Sequence, residues 1–364
     1  MAATEAIIHR AGMTTAVGLG AAQTFTSVQA GVAGFAESSV LDARFQPLVM
    51  ALVPDDALPP LAPAVEAVPG LTSRQRRLLR LAAPALAEAL NGLAGSGLDG
   101  RVPLFLATPE KHPELADPVD ATFLAHLAAQ LEPAGVRFDL ARSRLVPGGR
   151  AAGLMAVAQA LEFLSSGAGD YALAGGVDSH LDLMLLATLD RERRIQSAQV
   201  MDGFIPGEGA GVVLLGRPGA PPPLADLAPL ARVLAVGTAD EPGHRYSEEP
   251  YRGDGLTAAF AAVLTAPGPL RAPVTTIFAG LNGESFGAKE YGVASLRSHR
   301  ELDPGVVVEH PADCCGDLGA SLGPVMLGLA ALGIQKQRVA VPALVWCASD
   351  GAPRAAALVD ALAD

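Results

Sequence analysis

Aromatic residues make up only 4% of this 364-residue chain, and there is a single tryptophan. An interior short of large rings has to be built from Ala, Val and Leu. Half the chain is apolar, which suits closely packed helices on a sheet. Cysteine is almost absent. Cys314, Cys315 and Cys347 form neither a disulfide framework nor a metal-ligand spacing, so the expected compartment is a reducing cytoplasm, with no metal or other cofactor. Basic residues are outnumbered 26 to 38, giving a net charge of −12. Nucleic acid and anionic membrane require a basic face, and both are excluded as partners. No apolar run reaches the ~20 residues of a membrane span, and no charged-then-apolar signal pattern opens the chain.

The length allows two domain-sized halves around a large core. Two basic clusters, Arg74 to Arg80 and Arg191 to Arg194, read as solvated helix faces, the alternative being a docking patch for an acidic carrier protein.

Glycine is plentiful, and the stretch from Asp170 to Gly216 uses it most distinctively. It opens as an apolar run ending on Gly175 and Gly176, the pattern of a buried strand entering a tight turn. It closes Asp202-Gly-Phe-Ile-Pro-Gly-Glu-Gly-Ala-Gly211 and continues as the apolar run Val212 to Leu215. Glycine at 203, 207, 209 and 211 suits backbone that bends sharply or lies against other backbone. A Gly-rich segment that leads into a strand, with no helix start behind it, is not a phosphate loop.

Elsewhere the periodicity predicts an opening strand or hairpin over Thr4 to Gly18 and a helix over Ala21 to Gly31. Phe35 to Gly70 is irregular and Pro-rich, as expected of an insertion wrapping the surface. Thr72 or Ser73 caps a helix whose body runs from Gln75 to Leu90. A strand over Val102 to Ala107 and a helix over Ala121 to Leu131 follow. Next come a strand over Phe138 to Val146, the turn Pro147-Gly148-Gly149, and a helix apolar almost all round that ends at Gly167. A Pro-rich linker, Pro218 to Pro229, divides the chain. Beyond it strands are expected at Ala231 to Val236, Val274 to Ala279, Val306 to Glu309, Leu344 to Ala348 and Ala355 to Val359. Helices are expected at Leu256 to Leu264, Glu290 to Arg300 and Gly319 to Leu332. Strands alternating with helices in both halves imply an α/β protein with mixed sheets.

The paired blocks between Asp170 and Gly216 resemble those of the β-ketoacyl synthases of the thiolase superfamily. There an Ala-Gly-Gly strand precedes Asp-Gly-Phe-x-x-Gly-Glu-Gly-Ala-Gly and a short hydrophobic strand. The resemblance implies a thiolase-like fold of two similar halves, residues 1–217 with an insertion at about 35–100, and residues 230–364. It implies an acyl thioester chemistry run by a cysteine at a helix N-terminus, whose thiolate the free backbone N–H groups stabilise, and by two histidines. It also implies dimerisation through the strand before the active-site helix, here Phe138 to Val146.

Matched onto this chain, the cysteine position falls on Arg150, the first histidine on Asn282 and the second on Asp317. An arginine cannot attack a thioester, because its guanidinium stays protonated. The C-terminal turn is altered too, to Cys347-Ala-Ser-Asp350-Gly351. The chain therefore reads as a catalytically inactive member acting as a binding or assembly partner, in the manner of a chain-length factor. Its expected partners are a second copy, a related ketosynthase, or an acyl carrier protein. The rival reading is an active acyltransferase with a displaced nucleophile, Cys315, served by His310 or Glu284. The pairing of Arg150 with Asp317 in one former pocket predicts a buried salt bridge between them, joined by Glu284.

Overall fold

The computed structural model describes residues 5–265, 270 and 272–362. Two sets of five strands repeat one topology. In the first half these are β1 (Ala6–Thr15), β4 (Leu104–Thr108), β5 (Arg144–Pro147), β6 (Tyr171–Ser179) and β7 (Glu208–Gly216). In the second they are β8 (Ala231–Asp240), β9 (Val274–Ala279), β10 (Leu302–Glu309), β11 (Ala343–Ala348) and β12 (Pro353–Asp360). The spatial order is β5-β4-β6-β7-β1 in one set and β10-β9-β11-β12-β8 in the other, so each set runs third, second, fourth, fifth, first. In both, the second strand pairs in parallel with the third and fourth, and the fifth is antiparallel to the fourth and first. The halves expected to carry separate sheets are joined edge to edge. Ala6, Ile7 and Ile8 of β1 pair with Val233, Arg232 and Ala231 of β8, making one ten-stranded mixed sheet.

The sheet wraps around two apolar helices, Ala152–Ser165 and Leu322–Gln335, which share one core with inward residues of both halves. The helices approach closely at glycines. A Cβ on Gly153 would lie 2.4 Å from Pro324 Cδ, and one on Gly323 would lie 3.0 Å from the Leu154 nitrogen. Outer helices cover the other faces. Ser73–Ala89 and Phe123–Leu131 lie over the first half, and Asp254–Leu264 over the second. Thr72 caps Ser73–Ala89 in the expected capping box, accepting from the Gln75 N–H while Gln75 accepts from the Thr72 N–H.

Several expectations need correction. Gly175 and Gly176 do not turn the chain; both lie inside β6. Their role is contact, since a Cβ on Gly176 would sit 2.1 Å from the Ala320 carbonyl oxygen. The glycine block likewise runs into β7, where Gly211 lies against Val325 and Gly209 against Thr14. The opening strand is Ala6–Thr15, and Thr4 lies outside the described residues. The strand expected from Phe138 is extended only over Arg144–Pro147. Before it, the Asp139 carboxylate caps a helical turn at Leu140–Arg142. This β5 is an edge of the sheet.

The Pro-rich insertion is not wholly superficial. It carries a hairpin, β2 (Ala36–Leu41) and β3 (Pro47–Met50), and its segment Met50, Ala51 and Val53 is fully buried beside Gly207 and Glu208. A helix at Leu183–Arg191, absent from the expected elements, starts at Asp182, whose side chain accepts from the Leu185 N–H.

The close approach at Gly176 leaves no room for a methyl group. Gly176→Ala is expected to lower stability in urea unfolding by about 2–3 kcal/mol. Gly292→Ala, in the helix Ser285–Arg297 with nothing within 4 Å of the new Cβ, is expected to raise stability by up to ~1 kcal/mol.

Candidate functional site

The two core helices begin at the same place, and the candidate site lies between their starts. Arg150 sits in a helical turn, Gly149–Ala151, that feeds the helix Ala152–Ser165. Gly148 and Gly149, with φ of 134° and 66°, make the left-handed entry that a side chain would resist. Asp317 lies in the turn before the helix Leu322–Gln335. Its backbone is held by the glycine block, with its N–H donating to Ile205 (2.8 Å) and its carbonyl accepting from Gly207 (3.1 Å). The distinctive sequence motif therefore positions this carboxylate.

The expected salt bridge is present. Arg150 Nε donates to both Asp317 oxygens, at 2.8 and 3.1 Å, and both residues are buried. Asp317 also accepts from Asn282 Nδ2 (2.9 Å) and from the Gly319 N–H (2.9 Å). Arg150 Nη1 reaches Asp350 at 3.0 Å. Asp350 in turn accepts from Arg194 at 2.8 and 2.9 Å, and Arg194 forks onto Glu284 at 2.9 and 2.8 Å. Arg245 meets Glu284 at 2.9 Å, and Asn282 bridges Glu284 and Asp317. Three arginines, Arg150, Arg194 and Arg245, thus face three carboxylates, Asp317, Glu284 and Asp350. The Phe204 ring lies under two of them, with guanidinium carbons 5.8 Å (Arg150) and 5.4 Å (Arg194) from its centroid.

Charge in this cluster is fixed by mutual contact. Burial opposes the Arg150 charge, but Asp317 and Asp350 outweigh it and hold its pKa well above the ordinary value. Burial would raise Asp317 and Asp350, yet Arg150, joined by Arg194 at Asp350, holds both carboxyls below the usual range. Glu110 is a fourth acid at the edge. Its oxygens accept from the Asp350 and Gly351 N–H groups at 3.0 and 2.7 Å. Burial and the neighbouring Asp350 charge push its pKa up to about 7. In front of Arg150 the remaining cavity is only about 50 Å³, lined by Glu110, His112, His180, Phe204 and Tyr246 among others.

Arg150, Asn282, Asp317 and Glu284 are therefore brought together, with Glu284 joined through Asn282 and two arginines rather than through Arg150 itself. Cys315 and His310 are not. Burial, with Cys314 nearby, pushes the Cys315 thiol up to about 12, and the side chain is fully buried. Among the described residues no hydrogen bond joins the His310 ring to Cys315; His310 contributes its carbonyl to the turn at Asp313.

Neither basic cluster is simply a solvated face. Arg74 pairs with Asp178, Arg77 with Glu208, and Arg194 with Glu284 and Asp350, all as buried side chains. Arg194 is not distinguishable within its run of charged residues by local sequence alone. Arg245 and Glu110 carried no local signal, whereas Asp350 lay in the altered C-terminal turn.

Residues 141–218 match the family model of the β-ketoacyl synthase N-terminal domain. Phthioceranic/hydroxyphthioceranic acid synthases of Mycobacterium bovis and Mycobacterium tuberculosis are 34% identical over 144 residues, which cover 37% of this chain and 7% of theirs. The chain thus spans a small fraction of the length of these relatives. Among solved structures, a type II acyl-carrier protein–ketosynthase complex bound to the hexaketide gives a TM-score of 0.75 at 15% identity, covering 99% of this chain and 100% of that one. A Xenorhabdus doucetiae ketosynthase in complex with its chain length factor gives 0.74 at 16% identity, covering 98% of each chain. Residues 141–218 thus resemble the β-ketoacyl synthase N-terminal domain, and the chain as a whole shares the thiolase-like fold of these ketosynthases.

Removing one side of the central pair strands the other charge in the interior. Arg150→Ala is expected to cost about 3–5 kcal/mol in urea unfolding.

Stability should also depend on pH on two sides. Asp317 and Asp350 are depressed, so the stability they contribute is present above the ordinary value of 3.8 and lost as pH falls further. Glu110 is raised, so the folded chain holds an extra proton between 4.5 and about 7, and stability declines as pH rises through that window. In a thermal melt series, Glu110→Gln is expected to flatten the neutral decline and leave the acid limb in place.

Proposed function

We propose that this chain is a catalytically inactive β-ketoacyl synthase-like protein that works as a binding or assembly partner in fatty acid or polyketide biosynthesis. Its role resembles that of a chain-length factor beside an active ketosynthase. The observation that carries this reading is the Arg150–Asp317 pair at the start of the core helix. We take Arg150, Asn282 and Asp317 to occupy the positions of the ketosynthase cysteine and histidines. A guanidinium held in two carboxylate contacts is neither a nucleophile nor a free oxyanion donor.

The space left in front of Arg150, about 50 Å³, is far below the ~300–1,000 Å³ of sites that enclose organic ligands. The displaced-nucleophile alternative would require a thiolate at Cys315, and its buried thiol stays protonated at neutral pH. The fold is shared with ketosynthases solved beside a chain length factor or an acyl-carrier protein, which supports proteins of these kinds as partners. β5 lies at an open edge of the sheet and is the strand through which we place dimer contacts, with a second copy or a related ketosynthase. Among the described residues no helix is long and apolar enough to cross a membrane.

Incubation with acyl- and malonyl-thioesters is expected to give no mass increase on the intact protein and no carbon dioxide above the buffer rate. A stable acyl adduct on Cys315 or any other residue would overturn the reading. Light scattering at micromolar concentration is expected to show a dimer, alone or on co-expression with a related ketosynthase. A monodisperse monomer under both conditions would contradict the assembly role.

A further inference from the structure

The most exposed apolar surface lies away from the buried charge cluster, on the outer side of the helix Leu183–Arg191. Among the described residues, five of the ten exposed large apolar side chains lie on the segments that form this side: the β2–β3 hairpin, this helix and the loop after it. They are Leu41 (50% exposed), Phe45 (80%), Leu183 (68%), Met184 (66%) and Met201 (79%). Leu41 and Leu183 line a groove of about 500 Å³ between the β2–β3 hairpin and this helix; Phe45, Met184 and Met201 follow groove-lining residues in the chain. Apolar side chains clustered in this way on an otherwise charged surface mark an interaction site rather than ordinary surface scatter. Two of them are methionines, whose flexible thioethers adapt to a partner.

Phe45 strengthens the argument. It stands at the hairpin tip with φ of 62°, a left-handed conformation uncommon for a side chain of this size. The fold maintains that conformation through several contacts. Asp42 accepts from the Arg44 and Gln46 N–H groups, the Phe45 N–H donates to the Asp42 carbonyl, and Asp190 of the helix accepts from the Ala43 N–H at 2.9 Å. An aromatic ring held in water by this many contacts gains nothing inside the monomer.

The charges around the groove decide what would cover it. Its two carboxylates, Asp42 and Asp190, are committed to backbone N–H groups of the hairpin. Its cations, Arg44, Arg191 and Arg193, are exposed. Arg44 makes no side-chain hydrogen bond or ion pair among the described residues, Arg193 reaches only a carbonyl, that of Gln199, and Arg191 is paired with the exposed Glu114. The lining thus carries three arginines against two aspartates, a small positive excess beside apolar residues on a chain of net charge −12.

We propose that this groove docks an amphipathic helix of a partner protein, with an apolar face on Phe45, Leu183 and Met184 and acidic residues against Arg44 and Arg193. The proposal goes beyond the inactive-scaffold reading and does not depend on it, since the groove shares no side chain with the Arg150 cluster.

The test uses the full chain and a fluorescein-labelled synthetic helical peptide with Leu and Met on one face and Glu on the other. A peptide with Lys in place of each Glu serves as the control, and fluorescence anisotropy is the readout. The Glu peptide is expected to bind saturably, and the Lys peptide at least about tenfold more weakly. Arg44→Glu with Arg193→Glu, and separately Phe45→Ser, are expected to weaken binding by about tenfold or more while circular dichroism stays unchanged. Raising the salt concentration should weaken the Glu peptide selectively. Absent binding, equal binding of the two peptides, or binding indifferent to these substitutions would overturn the proposal. So would light scattering that shows a self-associated chain dissociated by Phe45→Ser, because a second copy would then occupy the groove.

Discussion

The structure depends on one interaction, the buried fork between Arg150 and Asp317. Each residue stands at the start of a core helix, Ala152–Ser165 or Leu322–Gln335, and these two helices fill the space inside the sheet. A positive group before a helix start faces unfavourable dipoles unless an anion answers it. Asp317 supplies that anion across the two halves, and its backbone is fastened to the Gly207 block. Arg194, Arg245, Asn282, Glu284 and Asp350 extend the same pair outward. Loops that would otherwise be independent thus become mutually constrained, with Arg150 and Arg194 of the first half meeting Asp317, Glu284 and Asp350 of the second.

Such a cluster is not an economical way to stabilise a protein. Taking charges out of water costs several kcal/mol per ion, and a well-packed apolar replacement can equal a buried pair. What the pair does provide is exclusion. Guanidinium and carboxylate groups fill the volume between the helix starts, satisfy one another's hydrogen bonds, and leave about 50 Å³ in front of Arg150. A core of alanine and leucine would leave helix starts with unanswered N–H groups, which attract anions. The charged cluster removes that property while keeping the architecture of the fold.

Much of this was legible in the chain because it rests on local pattern. The two apolar helices, the alternation of strands and helices, and the Gly203–Gly211 block each have a periodicity or composition of their own. The Arg150–Asp317 contact was legible only through resemblance, since 167 positions separate the partners. Arg74, Arg77 and Arg194 were misread because runs of arginine look alike whether they meet water or a buried acid. Their partners, Asp178, Glu208 and Glu284, lie on distant elements. Gly175 and Gly176 were misread for a related reason. A glycine that permits contact with Ala320 is indistinguishable in sequence from one that permits a turn. The helix Leu183–Arg191 was overlooked beside a stronger motif, although Asp182 is a regular capping residue for it.

The central claim is that Arg150 and Asp317 act as a coupled unit rather than as two independent buried side chains. A double-mutant cycle in urea, using Arg150→Met, Asp317→Leu and the two together, measures that coupling directly. Each single change is expected to be costly and the double variant much more stable than their sum, with a coupling of about 2–3 kcal/mol. Additive losses, with a double variant as unstable as the two singles combined, would contradict the central claim.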